Sequence, residues 1–278
     1  MLVKPFKDND RVVFFGDSIT HNNHYIMYIY SYYRKHFPNL NIRFYNSGIA
    51  GATLSTGFRF YDEDLKAWNP NVIVMMYGMN DSRRYYLDVK NKKVREKGIN
   101  TAFEEYKVNL DKMYHKLIND GFRVILCTPT PYDETNESET PFLKGGESLI
   151  KRYADYVREY ATKNNIELID YHSYVTELAR KDKSMIKPDH IHPTLEVGHI
   201  EMARRFLSHQ GFELDVTSLS DDYLELDRLT QSLRDIYASE FLFIPQDITN
   251  EEKLDYSAFS RFLKSINYYY QQLKLQEQ

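Results

Sequence analysis

The chain has 278 residues, with 42% apolar and 27% charged side chains, an ordinary balance for a soluble globule. Its 36 basic and 40 acidic residues leave a net charge of −4, which lacks the basic footprint of a nucleic-acid binder. Only 11 Gly and 9 Pro exclude collagen-like and low-complexity architectures, and a chain this long needs no disulfide or metal staple to fold.

Five short apolar or aromatic runs recur in chain order, at residues 12–15, 42–45, 72–77, 124–127 and 166–169. They are continuous rather than alternating, as expected of strands buried on both faces. Segments with helical spacing separate them. Thr101-Ala102-Phe103-Glu104 reads as a capping box that opens a helix carrying Phe103, Tyr106, Leu110, Met113, Tyr114 and Leu117 on one stripe. Gly121 then reads as its stop signal. Alternation of this kind predicts a parallel sheet with helices on both faces, an α/β sandwich. From about Gly211 the alternation ends. The domain reading is therefore a body over 1–210 and a helical extension over 211–278, packed on the body or used in a homo-oligomer contact. In the extension, Thr249-Asn250-Glu251-Glu252 reads as a second capping box.

Ligands of doubly wound sheets gather at the carboxyl ends of the strands. The residues following each run are therefore the informative ones. They are Gly16-Asp17-Ser18-Ile19-Thr20, the stretch from Asn46 to Thr53, Gly78-Met79-Asn80-Asp81, Thr128-Pro129-Thr130-Pro131, and Pro188-Asp189-His190-Ile191-His192-Pro193. Acyl transfer to water needs a nucleophile, a base, a group that orients the base, and donors facing the developing oxyanion. Ser18 at the start of a helix from about His21 supplies the first, with its own N–H backed by the helix dipole. Asp189 and His192, three residues apart, suit the carboxylate and imidazole. Gly51 can offer a backbone N–H and Asn80 a side-chain N–H.

The G-x-S-x-G elbow of α/β-hydrolases is absent, because Thr20 stands at its final position. Instead, the four blocks resemble those of the SGNH hydrolases, the GDSL-type esterases. Gly16-Asp17-Ser18 matches the nucleophile block, Gly51 with Thr53 the glycine block, Gly78-x-Asn80-Asp81 the asparagine block, and Asp189-x-x-His192 the last. The likeness spans residues 10–210. It implies a flavodoxin-like three-layer fold with a five-stranded parallel sheet. It also implies a Ser18–His192–Asp189 triad and an oxyanion hole of Ser18, Gly51 and Asn80. Gly48 competes with Gly51 for that role, and Thr53 tips the choice to Gly51. No cofactor or metal is implied. Members with a similar nucleophile block resemble carbohydrate O-acetyl esterases, so the expected substrate is a small acyl ester, an acetylated sugar. Lipid or thioester hydrolysis, or acyl transfer to another alcohol, are the alternatives within the class.

Other readings compete. Ser18 alone could be an N-cap. His190 and His192 form an H-x-H pair that invites a metal reading, although no further Cys or His completes a recognisable spacing. His190 otherwise reads as structural or solvent-facing, and His21 and His24 as pocket wall or helix surface. A non-catalytic carbohydrate-binding protein would be expected to have lost part of the triad. Asp17, Tyr85 and Tyr132 are the candidate substrate-binding residues, with Asp17 also able to fix its loop. The basic stretch 83–97 reads as a lid, a basic wall or a solvated loop. The single Cys127 permits no intramolecular disulfide, the N-terminus shows no signal peptide, and no apolar run is long enough to span a bilayer. The expected setting is cytoplasmic, with no membrane partner.

Overall fold

Strands covered on both faces need apolar side chains at every position, and each of the five runs becomes one. The computed structural model describes residues 2–136 and 142–216. Its strands are β1 (Arg11–Gly16), β2 (Arg43–Gly48), β3 (Val72–Met76), β4 (Arg123–Cys127) and β5 (Glu167–Ile169). All pair in parallel, in the order β2-β1-β3-β4-β5. This is the flavodoxin-like order, in which the chain reverses its direction of winding beside β1 and opens a crevice at the carboxyl ends.

The helices are α1 (Ser18–His21), α2 (His24–His36), α3 (Leu54–Arg59), α4 (Lys92–Asn119), α5 (Gly146–Lys163), α6 (Tyr171–Lys181) and α7 (Gly198–His209). Successive strand residues face opposite layers. Val12, Phe14, Phe44, Val74 and Ile125 share one core with Tyr25, Ile29 and Tyr33 of α2, Val175 of α6, and Met202 and Phe206 of α7. Phe206 is fully buried, its ring 5.8 Å from Phe6 and 6.1 Å from Phe14. Truncating such a ring costs about 3–5 kcal/mol. Val13, Phe15, Ile73 and Met75 point to the other layer, where Phe15 meets Tyr77 edge-on at 5.2 Å. Cys127 closes β4 inside the first core, and burial pushes its thiol pKa well up.

One helix start differs from expectation. α4 begins at Lys92, capped by Asn91, whose side chain accepts from Val94 N–H at 3.2 Å, so Thr101 is interior to the helix. Its buried stripe starts only at Ala102. The turns before it have no apolar period to read, and their helix is carried by the propensity of Lys, Arg and Glu. The basic stretch 83–97 is accordingly no loose loop: a 3-10 turn (Arg84–Asp88) leads into this helix. Gly98 lets α4 receive the Tyr86 ring, since a Cβ there would lie 2.4 Å from it. The stop signal at the other end holds. Gly121 has φ +87°, with Gly121 N–H donating to Ile118 O and Phe122 N–H to Leu117 O, a Schellman closure.

The described residues belong to one compact unit, Met1–Ser220. The helical extension expected over 211–278, including the capping box at Thr249, lies outside the described residues beyond position 216.

Candidate active site

β1 ends at Gly16, and the chain turns at once into α1. Asp17 is the N-cap: its backbone is extended and its carboxylate accepts from Ile19 N–H at 3.0 Å. Ser18 is therefore the first helical residue and not the cap. Its hydroxyl is left unused by the helix, and first-turn N–H groups have no intrahelical partner. Two close approaches allow this turn. A Cβ on Gly48, at the end of β2, would lie 2.3 Å from His21 N, so only glycine lets α1 rest on the strand end. Asn46 ties the same two elements, donating to Thr20 O at 2.9 Å.

The second half of the site is the turn before α7. Asp189 Oδ1 accepts from Ile191 N–H and His192 N–H, each at 2.9 Å. Its Oδ2 lies 2.7 Å from His192 Nδ1. A carboxylate only accepts, so Nδ1 carries the proton and Nε2 is free to take one. Nε2 lies 2.7 Å from Ser18 Oγ. Burial opposes ionisation of Asp189. The side-chain and backbone hydrogen bonds of His192 and the N–H of Ile191 outweigh it and hold the carboxyl well below the usual range.

The glycine and asparagine blocks meet each other. Asn80 Nδ2 donates to Ala52 O at 3.0 Å, which leaves a second amide hydrogen. Gly51 is exposed with φ +76°, a left-handed conformation that favours glycine. Asp81 locks the two blocks together by accepting from Leu54 N–H at 2.9 Å. Burial pushes the Asp81 pKa up to about 7, against the Leu54 hydrogen bond and with the charge of Asp17 adding to the rise. Burial likewise pushes Asp17 up to about 6, opposed by Ile19 N–H, His192 and Arg84.

The three candidate substrate-binding residues separate. Tyr85 is exposed on the 3-10 turn, its ring 4.8 Å from Tyr86. Asp17 is buried, so its carboxyl braces the loop and is out of reach of a ligand. Tyr132 is buried as well: its ring stacks on His190 at 5.8 Å and its hydroxyl accepts from Leu143 N–H at 2.7 Å. His190 is buried and not solvent-facing, and His21 is inside, with Nδ1 3.4 Å from Gly48 O. Among the described residues no group of three or more His, Cys, Asp or Glu is arranged to hold a metal ion.

Sequence reasoning missed Arg84. It donates from Nη1 to Met79 O at 3.0 Å, and its charge acts on Asp17, Tyr132 and Asp189. Its signal was only its place four residues after Asn80, among six other cations of the same stretch.

Residues 12–206 match the family model of the GDSL-like lipases/acylhydrolases. The chain belongs to that family. As a GDSL-type hydrolase it is an enzyme of the carboxylic ester hydrolase class, acting on acyl esters. An acetylxylan esterase from Geobacillus stearothermophilus is 27% identical over 220 residues, covering 73% of this chain and 95% of that relative. A solved structure of that esterase superposes with a TM-score of 0.62 at 24% identity, over 75% of this chain and 97% of the other, which shows the shared fold. A gut microbial diltiazem-metabolizing enzyme gives a TM-score of 0.65 at 35% identity over 76% of this chain. The chain spans about half of that enzyme, 49% of its length. Among the described residues no helix is long and apolar enough to cross a membrane.

Proposed function

We propose that the chain is a serine esterase that removes a small acyl group, O-acetyl, from a carbohydrate or glycoside. The observation that carries this reading is the continuous hydrogen-bonded path from Ser18 Oγ through His192 to Asp189, with both links at 2.7 Å. Ser18 Oγ attacks the ester carbonyl as His192 Nε2 takes its proton. The Asp189 carboxylate holds the imidazole in the required tautomer and stabilises the imidazolium. The tetrahedral oxyanion is met by the N–H groups of Ser18 and Gly51 and by the Asn80 amide. The C–O bond to the alcohol then breaks, the alcohol leaving with the proton from His192. Water repeats the sequence on the acyl-serine, releasing the acid and restoring Ser18.

The acetyl and carbohydrate parts of the reading are supported by the likeness to an acetylxylan esterase. Exposed Tyr85, five residues after Asn80, offers a face on which a sugar ring can rest. The test is turnover of 4-nitrophenyl esters of increasing acyl length, followed by a panel of acetylated sugars. A steep preference for acetyl and release of acetate from the sugars is the expected result. Preference for long acyl chains or thioesters would replace this substrate with a lipid or thioester, and product appearing on an added alcohol would make the enzyme a transferase.

A further inference from the structure

The loop after β4 supplies no member of the triad or the oxyanion hole, yet it is bound to the turn that carries Asp189 and His192. Asp133 N–H donates to His190 O at 2.9 Å, and His190 Nδ1 lies 2.9 Å from Asp133 O. A carbonyl only accepts, so Nδ1 of His190 carries its proton and the two residues exchange a reciprocal pair of bonds. Asn136 Nδ2 adds a third tie, to Ile186 O at 3.0 Å. His190 itself stands at φ +67°, in the left-handed region, where a residue other than glycine is strained unless its surroundings hold it.

The ring is buried and stacked on Tyr132, whose own ring fills the space over Gly146, where a Cβ would lie 2.5 Å away. Tyr132 and Met79 share a small apolar cluster against which Ile191 packs. Met79 precedes Asn80, while Ile191 stands between Asp189 and His192. The β4 loop thus touches the residues flanking both the oxyanion donor and the base.

We infer that His190 is a positioning residue: clamped to Asp133 and stacked on Tyr132, it sets the pose of the 187–193 turn so that His192 Nε2 meets Ser18. This rests on the triad reading above. Displacement of a catalytic group by about 1 Å can cost roughly 10²-fold in rate, so a loss of that order is the expected effect of freeing the turn.

The test compares kcat and KM on 4-nitrophenyl acetate, and the far-downfield proton resonance of the His192–Asp189 bond, in His190→Ala, His190→Asn and His190→Gln. Asn tolerates the left-handed backbone and presents an amide N–H near the place of Nδ1; Gln presents its amide further out. The expected outcome is a kcat lower by roughly 10- to 100-fold in the Ala and Gln variants with KM little changed. Their downfield resonance should be broadened or lost, and the Asn variant should recover both readouts. Should the Ala variant not fold, the contrast between Asn and Gln decides. Wild-type kcat in Ala or Gln, or lost kcat with the resonance intact, overturns the inference. Ser18→Ala separates the two readings: if it stays active the triad itself fails, whereas if it is inactive and His190→Ala is not impaired only the clamp fails.

Discussion

Ser18 Oγ and His192 Nε2 lie 2.7 Å apart although 174 positions separate them in the chain. Only the winding of the sheet brings them together: Ser18 rides on the end of β1, and His192 on the turn that leads into α7. Replacing Ser18 with Ala should leave the fold intact and nearly abolish ester turnover. A serine-directed phosphonate should label the wild type at one site per chain and the variant not at all.

Asp189 accepts from the backbone N–H groups of Ile191 and His192 and from His192 Nδ1, which fixes the imidazole. In Asp189→Asn the amide can still accept from the backbone, but it can present N–H to the ring and impose the wrong tautomer. By the logic of other Ser-His-Asp triads, kcat should fall by roughly 10⁴. Steady-state kinetics alongside circular dichroism spectra would check that the loss is one of chemistry and not of folding.

Asn80 presents one amide hydrogen to Ala52 O and has one to spare. If, as proposed, the spare hydrogen meets the oxyanion, it acts on the transition state, and Asn80→Ala should lower kcat by roughly 10²–10³ with KM little changed. A change confined to KM would assign Asn80 to ground-state binding.

Asp81 is a buried acid whose pKa rises to about 7 on folding, from an ordinary value of 3.8. As pH rises through this window the unfolded chain releases the proton while the folded one keeps it, so this group lowers stability from about pH 4 to about pH 7, with a constant penalty above. Asp81→Asn removes that titration. Urea unfolding at about pH 5 and about pH 8 should show the variant gaining on the wild type at the higher pH. An identical pH response in the two proteins would exclude the effect.

Gly48 has backbone where a methyl group would have to go. Gly48→Ala should destabilise by about 1–3 kcal/mol through overpacking and push α1 off the strand end. Activity should fall with it, because α1 carries Ser18. Denaturant midpoints and kcat, measured together, would reveal whether the two losses travel as one.

The strands were legible because each is a continuous apolar run, and the blocks after them were legible because a parallel sheet puts chemistry at strand ends. Ser18, Asp189 and His192 could therefore be singled out as candidates ahead of the contacts that join them, with Gly51 and Asn80 as candidates beside them. The start of α4 could not, since Lys92 to Thr101 bury no apolar stripe. The rank of Ser18 was hidden too, because Asp17 and Ser18 are both good caps and only geometry shows that Asp17 takes the role. Tyr132 looked available to a ligand because its loop follows β4. Nothing local announces that Gly146 leaves a slot for its ring, or that its neighbour Asp133 bonds to His190, 57 positions beyond Asp133.

The burial of Cys127 has a practical side. It is the sole thiol of the whole chain, sealed at the end of β4 with its ionisation suppressed. Maleimides and iodoacetamides should therefore find nothing to react with while the native protein holds. One cysteine introduced at exposed Tyr85 would then carry a fluorophore or spin label without any background to subtract, and would report on whatever settles on that turn.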